Sequence, residues 1–551
     1  MSSAPFGEVF HLVLIKPSHY DAEGYPIRWL RSAIPSNTLA VMNGLGLDCA
    51  QRRSLGRDVE IVVSVYDETN TRVRPARIAK QIRDSGGLGL VGMVGVQSNQ
   101  FPRAVDLART LRAEGIQVCI GGFHVSGCLV MLSELPDDLR EAMDLGISLF
   151  AGEAEGQLDG LLQDAYRGEM KPLYNFMDDL PDLRGVPSPR LSARQVQRTA
   201  GSTTSFDAGR GCPFECSFCT IVNVQGHESR RRSADDVEKL IRHNLAQGIR
   251  NFFITDDNFA RNAEWEPILD RVIALREEGL KVKFTIQVDT MSLKIPRFIE
   301  KCGRAGVARA FIGMESINQS ALAGSKKRQN RITEYRSMLL RWREAGVMTL
   351  AGYILGFPSD TPESIARDIE IIKRELPIDL MEFFVLTPLP GSEDHQRLKK
   401  KGVWMDPDMN KYDTAQITTA HPQMSPEEWR GAVDRAWKAY YTPEHIETVM
   451  RRARGRGVSR RRTSLLWFYS CIAFEKIHPL DGGFLRLRSR RERRPNLPLE
   501  SPLIFYPRHV WRTLYNQARL LALVLKFRRV RKNIKRDPDC REYTDLALTA
   551  R

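Results

Sequence analysis

Several features are missing from this chain, and each absence removes a class of protein. No apolar run reaches the roughly 18–20 residues that cross a bilayer as a helix, so no membrane span is expected. Met1 to Lys16 has no basic segment ahead of its apolar stretch. Val9–Ile15 therefore reads as a first β-strand rather than a signal peptide, and the expected location is cytoplasmic. The cysteines at 49, 119, 128, 212, 216, 219, 302, 471 and 540 are odd in number and follow no secretion signal, which argues against a disulfide framework. No short internal repeat marks a solenoid or propeller. Acidic residues are scarce in one stretch. Residues 451–536 hold 4 Asp and Glu against 24 Lys and Arg, a local charge of +20 in a chain whose total is +15, so the remainder is mildly acidic. What remains is a 551-residue chain, longer than one ordinary domain, with 42% hydrophobic and 27% charged residues, a globular balance.

Three regions follow from the patterning. Residues 8–165 alternate short apolar runs (VFHLVLIKPS, RDVEIVVSVYDE, GLGLVGMVGVQ, GIQVCIGGFH, GISLFAGEAE) with helical patterns such as PRAVDLARTLRAEG. That alternation predicts an α/β fold, a doubly wound and mostly parallel Rossmann-like sheet. Its crevice lies at the C-terminal strand ends, where the loops are rich in glycine: Gly95, Gly121, Gly122 and Gly152. Residues 166–200, with many Pro and Asp, read as an extended linker between domains. Residues 201–400 carry six further candidate strands (TTSFDAG, NFFITDDN, VKFTIQV, RAFIGME, TLAGYILG, LMEFFVLTP), which predict a (β/α) barrel, complete or partial. Residues 401–551 read as a helical, basic region in which Ser425 caps a helix with Glu428 three residues on.

The chemistry concentrates at Gly211-Cys212-Pro-Phe-Glu-Cys216-Ser-Phe-Cys219. Thiolates are the soft ligands that iron–sulfur clusters require. A [4Fe–4S] cube held by three cysteines leaves one iron open to a small molecule. S-adenosylmethionine, through its amino and carboxylate groups, suits that iron, and an electron from the cluster then cleaves its sulfonium bond. A structural zinc site is the bland alternative. It takes four ligands, often as two CxxC pairs, and no partner pair lies nearby.

The string RGCPFECSFCTI, RRRSADDVEKLI, FFITDDNF, FIGMESIN, GYILGFPSDTPES and LTPLPGS resembles the radical S-adenosylmethionine superfamily, and more narrowly its members with an N-terminal cobalamin-binding domain. The resemblance covers roughly residues 8–440. It implies that Cys212, Cys216 and Cys219 hold the cluster. Thr255 to Asn258 takes the place of the segment that meets the methionyl amino group, although the usual Gly-Gly-Glu form is absent. Asp256 or Asp257 accepts from an ammonium there, or Asp257-Asn258 caps a turn. Glu315 and Ser316 correspond to the fourth-strand motif near ribose or methionine, with a helix cap as the alternative for Ser316. Gly356 belongs to the segment near adenine, or marks a turn. Arg230, Arg231 and Arg232 neutralise an anion or lie in a solvated stretch.

For the N-terminal domain the resemblance implies cobalamin held by Gly121, Gly122 and Gly152 and their loops. The Asp-x-His-x-x-Gly pattern that ligates cobalt is missing. Lys16-Pro-Ser-His-Tyr-Asp-Ala-Glu-Gly24 stands in its place, and His19 and His124 are the histidines placed suggestively. The implied activity is cobalamin-dependent C-methylation of an unactivated carbon in a small-molecule or lipid-like substrate, fed by a reductant such as flavodoxin or ferredoxin. Radical cyclisation, oxidation or rearrangement is a rival, as are RNA methylthiolation and a non-catalytic sensor. Methylthiolation calls for a second cysteine triad, for which Cys49, Cys119 and Cys128 are badly spaced. The basic C-terminal region binds nucleic acid, touches a membrane surface or forms a solvated lid. Trp467, Phe468, Tyr469, Trp511 and Leu520–Leu525 among the cations favour peripheral contact with the inner membrane surface over nucleic acid.

Overall fold

The computed structural model describes residues 7–453 and 458–549. Two six-stranded parallel sheets face each other. The first is built from β1 (Glu8–Lys16), β2 (Val59–Asp67), β3 (Gly89–Met93), β4 (Gln117–Gly121), β5 (Ser148–Gly152) and β6 (Leu173–Phe176), in the order β2-β1-β3-β4-β5-β6. Its central strands read as unbroken apolar runs because helices cover both faces. Six successive residues of β1, Phe10 to Ile15, are buried, and separate apolar cores lie on the two sides of the sheet. Helix Phe101–Ala113 buries Phe101, Ala104, Leu107, Ala108 and Leu111 on one stripe, as its spacing requires.

β6 corrects the linker reading. The segment 166–200 is not wholly an extended crossing, since Leu173–Phe176 pairs with β5 in register Leu149↔Leu173 to Gly152↔Phe176. Gly152 has φ +100, and a Cβ there would stand 2.6 Å from the Phe176 carbonyl oxygen, so this added strand explains why the position is glycine.

The second sheet holds β7 (Thr203–Phe206), β8 (Asn251–Ile254), β9 (Lys283–Val288), β10 (Val307–Glu315), β11 (Met348–Leu355) and β12 (Leu380–Val385), neighbours in strict sequence order. All six form where the apolar runs predict them, and the barrel is partial. All eight residues of β11 are buried. Helices Pro426–Tyr440 and Pro443–Arg452 extend the same core through Trp429, Trp437, Tyr440 and Met450. Ser425 accepts from the Glu428 amide in the capping box read from the sequence.

The C-terminal region is helical but not only helical. Gly483–Arg486 pairs antiparallel with Trp29–Ser32 of the first region, clasping the two ends of the chain together. Many of its arginines are spent on internal carboxylates. Arg486 and Arg488 meet Asp21, Arg494 meets Asp408 at 2.7 Å, Arg512 meets Glu23 at 2.6 Å and Arg452 meets Asp545 at 2.7 Å, while the region's Glu492 pairs with Arg28 of the N-terminal region at 2.6 Å. Trp467 and Phe468 also turn inward, Phe468 into the barrel core and the Trp467 indole N–H toward the Pro479 carbonyl at 3.2 Å. The aromatic cluster that suggested membrane contact at 467–469 therefore supports packing instead.

Candidate active site

The crevice sits where the strand order of the first sheet switches, between β1 and β3, as ligand sites in open parallel sheets do. A cavity of about 400 Å³ opens there. Its floor is apolar, with Leu12, Leu14, Leu90 and Phe150, and its rim is made by Gly121, Gly122 and Gly152. Gly122 has φ +150, and a Cβ would lie 2.2 Å from the Val96 amide nitrogen, so the close approach of two strand-end loops fixes this residue. The opposite wall comes from the barrel: Gly209, Arg210, Ile221, Gln225 and Asp257. A second cavity of about 520 Å³ shares Asn37, Thr38, Gly95, Gln97, Ile221 and Thr255 with the first, so the two adjoin. It is closed by residues far apart in sequence, including Trp29, Tyr412, Asp413, His478 and Asp481. The glycine loops of the first sheet and the loop after Cys219 thus face one space.

The two sheets are pinned across that space by buried charge. Arg210 reaches Glu153 at 2.5 Å, Glu155 at 2.6 Å and Asp207 at 2.9 Å, and Arg230 grips Glu153 a second time. Arg232 donates to the Asp207 carbonyl at 3.0 Å, and Arg231 pairs with Glu264 at 3.5 Å. The anion neutralised by Arg230 is therefore the protein's own Glu153, on the loop following β5.

Cys212, Cys216 and Cys219 lie on the loop after β7. Gly211, at φ +93, begins the turn, and a Cβ there would stand 2.3 Å from the Glu228 carbonyl oxygen. Burial pushes the Cys219 thiol up to about 12 and raises that of Cys212, so these thiols ionise when a metal takes the proton's place. Among the described residues, no three His, Cys, Asp or Glu side chains converge on a single ion. A cubane does not ask for that, because its three ligands reach three different irons. Around the loop stand residues the motif search did not flag. Gln329 Nε2 lies 3.6 Å from Cys216 Sγ, and Lys327 Nζ lies 2.8 Å from Glu315 Oε1 and 5.9 Å from the centre of the Phe218 ring. Nothing in GSKKRQN marks Lys327 before the chain folds.

The remaining candidates separate. Asp256 spends Oδ1 on the Ala208 and Gly209 amides, at 2.7 and 2.8 Å, and Oδ2 on Asn262 at 2.8 Å, so it braces the end of β7. Of the two adjacent aspartates it is Asp257 that lines the cavity, alongside Glu153, Glu155 and Asp207, and burial holds its pKa up at about 7. Glu315 has φ +63 at a register shift between β10 and β11 and is paired with Lys327. Ser316 Oγ accepts from the Asn318 amide at 2.9 Å, while Asn318 itself caps the following helix. Gly356 lies under the Trp429 ring and donates its amide to Asp360 at 2.9 Å. His124 is engaged on both nitrogens, to Ser98 at 3.1 Å and Asp138 at 2.8 Å, which matches a hydrogen-bonding rather than a cobalt-ligating role. His19 lines the second cavity, 4.0 Å from Asp481.

Comparison with known proteins places this geometry. Residues 208–372, from the end of β7 through β11, match the Radical SAM superfamily. The matched segment lies in the second sheet and carries the cysteine triad. It is 26% identical over 375 residues to bacteriochlorophyllide d C-8(2)-methyltransferase of Chlorobaculum tepidum, covering 64% of this chain and 78% of that protein. It is 22% identical over 391 residues to hopanoid C-2 methylase of Rhodopseudomonas palustris, covering 70% and 71%. Among solved structures, the radical S-adenosylmethionine methyltransferase TsrM of Kitasatospora setae, with cobalamin and a [4Fe–4S] cluster bound, superposes with a TM-score of 0.58 at 16% identity, over 79% of this chain and 90% of that one. That likeness is one of fold.

Proposed function

We propose that this chain is a cobalamin-dependent radical S-adenosylmethionine methyltransferase that methylates an unactivated carbon of a small molecule. The observation that carries the reading is that residues of both sheets line one cavity, with a second cavity beside it. The glycine-rimmed crevice at Gly121, Gly122 and Gly152 opens onto the wall that follows the cysteine triad, at Ile221 and Gln225. When bound, the cluster supplies the electron that cleaves S-adenosylmethionine, and cobalamin supplies the methyl group. The chain provides the rest. Cys212, Cys216 and Cys219 would hold the [4Fe–4S] cluster through their thiolates. Asp257, at the edge of the same cavity, takes the ammonium end of S-adenosylmethionine. Leu12, Leu14 and Phe150 keep the crevice apolar, which suits a bulky organic cofactor and excludes water from a reactive radical. Arg210 and Arg230 clamp Glu153 and so fix the distance between the two cofactor walls. The second cavity, which adjoins the first at Thr38 and Ile221, takes the substrate.

The relatives that match over most of the chain, the bacteriochlorophyllide and hopanoid methyltransferases, support methyl transfer to small molecules, whereas tRNA methylthiolating enzymes match at 23–24% identity over about half of it. A flavodoxin- or ferredoxin-type protein serves as reductant, and the chain works in the cytoplasm with its basic C-terminal region at the inner membrane face. No helix among the described residues is long and apolar enough to cross a membrane. The test is anaerobic reconstitution with iron, sulfide and cobalamin, followed by a search for substrates that gain one methylene equivalent in mass. Product formation without that gain, accompanied by turnover of S-adenosylmethionine, would move the reading to cyclisation or oxidation.

A further inference from the structure

Helix Pro502–Arg536 is the longest in the chain, at 35 residues, and it leaves one side without a protein partner among the described residues. Its inner side is a narrow stripe: Phe505, Asn516, Leu523, Phe527 and Ile534 are buried. The outer line runs Leu503, Val510, Leu514, Leu521 and Leu525, at steps of seven, four, seven and four residues that keep one face of an α-helix. Leu503 is 85% exposed, Leu514 63% and Leu521 61%, and Trp511 beside them is 70% exposed. Continuous exposed apolar surface of this length marks an interaction site rather than scattered surface hydrophobics.

The same outward line changes character toward the C-terminus. Its next members are Arg528, Lys532 and Lys535, at steps of three, four and three. With Arg462, Arg531 and Arg536 they line a concavity made only of cations. None of the six forms an ion pair with a described carboxylate, although most arginines between 486 and 512 do. The Nε atoms of Arg462 and Arg531 are buried without a hydrogen-bond acceptor. Burial, and after it repulsion from Arg531 and Arg528, lowers the pKa of Arg462. Six uncompensated cations around a hollow call for a polyanionic ligand.

We propose that helix Pro502–Arg536 seats on an anionic phospholipid surface, with its outward leucines and Trp511 in the interfacial layer and the six-cation concavity receiving lipid phosphates. This deepens the reading of the basic region as a membrane contact and names the surface that makes it. Apolar surface and clustered cations on one helix face are the pairing that such a surface rewards. Nucleic acid satisfies less of it: Trp511, Tyr506 and Tyr515 offer rings for bases to stack on, but the aliphatic line from Leu503 to Leu525 finds no partner there. A second copy satisfies only the apolar half: antiparallel pairing centred on Leu514 sets the leucines together but leaves both cation clusters without an anion, and parallel pairing sets the clusters against each other.

The experiment is vesicle flotation of the full chain, with phosphatidylcholine alone and with phosphatidylcholine containing one-third phosphatidylglycerol. The chain floats with the anionic vesicles, less so at high salt, and does not float with the neutral ones. Leu514→Glu/Leu521→Glu and Arg528→Glu/Lys532→Glu each weaken binding by about tenfold or more. Because every altered side chain is exposed, the variants keep the thermal unfolding profile of the parent. Trp511 emission shifts to the blue on binding, a change absent from Trp511→Phe. Absence of anionic-lipid binding overturns the proposal. Binding that persists in both double variants overturns this surface while leaving membrane contact elsewhere intact. A dimer abolished by Leu514→Glu/Leu521→Glu overturns it in favour of a second copy. Vesicle binding needs neither S-adenosylmethionine nor cobalamin, so its failure is distinguishable from failure of the methyltransferase reading.

Discussion

Glu153 is the residue through which one sheet holds the other. It is largely buried, accepts from Arg210 at 2.5 Å, and is gripped by both terminal nitrogens of Arg230. Glu153→Ala leaves Arg210 with Glu155 and Asp207, but leaves Arg230 with backbone carbonyls of Pro181 and Gln225 alone. Removing one member of a buried pair costs about 3–5 kcal/mol, because the surviving charge stays desolvated. The survivor here keeps two carbonyl acceptors, so the lower end applies, about 3 kcal/mol. Arg230→Met in the Glu153→Ala background removes the stranded charge and restores at least about 1 kcal/mol, the coupling expected of residues in one network. Urea unfolding followed by tryptophan fluorescence reads both values. Glu153→Ala costing less than about 0.5 kcal/mol, or a double variant as destabilised as the sum of the two singles, refutes the clamp.

Three further outcomes follow from single sites. Gly356→Ala places a Cβ 2.0 Å from the Trp429 ring at φ +105 and lowers stability by about 2 kcal/mol or more, with a change in Trp429 emission. Glu382 is fully buried, its Oε2 has no partner, and burial raises its pKa to about 8. A carboxyl whose folded pKa is raised contributes stability that is full below its unfolded value and is lost as pH climbs through the folded one. Glu382→Gln is therefore close to neutral at pH 5 and stabilising by on the order of 2–4 kcal/mol at pH 8.5, read from paired thermal melts. Cys216→Ala keeps the fold, loses bound iron on reconstitution, and produces no 5′-deoxyadenosine.

The strands were legible because central parallel strands need apolar residues on both faces, and runs such as HLVLIK and TLAGYIL have no other soluble use. β6 escaped because LYNF is four residues set among Pro and Asp. The ribbon Trp29–Ser32 with Gly483–Arg486 escaped because its strands are some 450 residues apart and neither is patterned alone. The cysteine triad stood out in the sequence because three thiols fall within eight residues, on what the fold shows to be one loop. The division of labour between Asp256 and Asp257 was not. Adjacent residues at a strand end point to opposite sides, and only the folded chain shows that Asp256 meets backbone amides while Asp257 meets the cavity. Charge counting found the basic region but not its structure. It cannot distinguish Arg488, bound to Asp21, from Arg528, which faces outward.

The most direct measurement takes the anaerobically reconstituted protein, records its iron and cobalamin content, and assays 5′-deoxyadenosine after adding reductant and S-adenosylmethionine. Four irons per chain, bound cobalamin and 5′-deoxyadenosine formation that disappears in Cys216→Ala are the predicted results. A protein that holds iron and cleaves S-adenosylmethionine yet takes up no cobalamin contradicts the assignment of the glycine-rimmed crevice, and with it methyl transfer as the reaction.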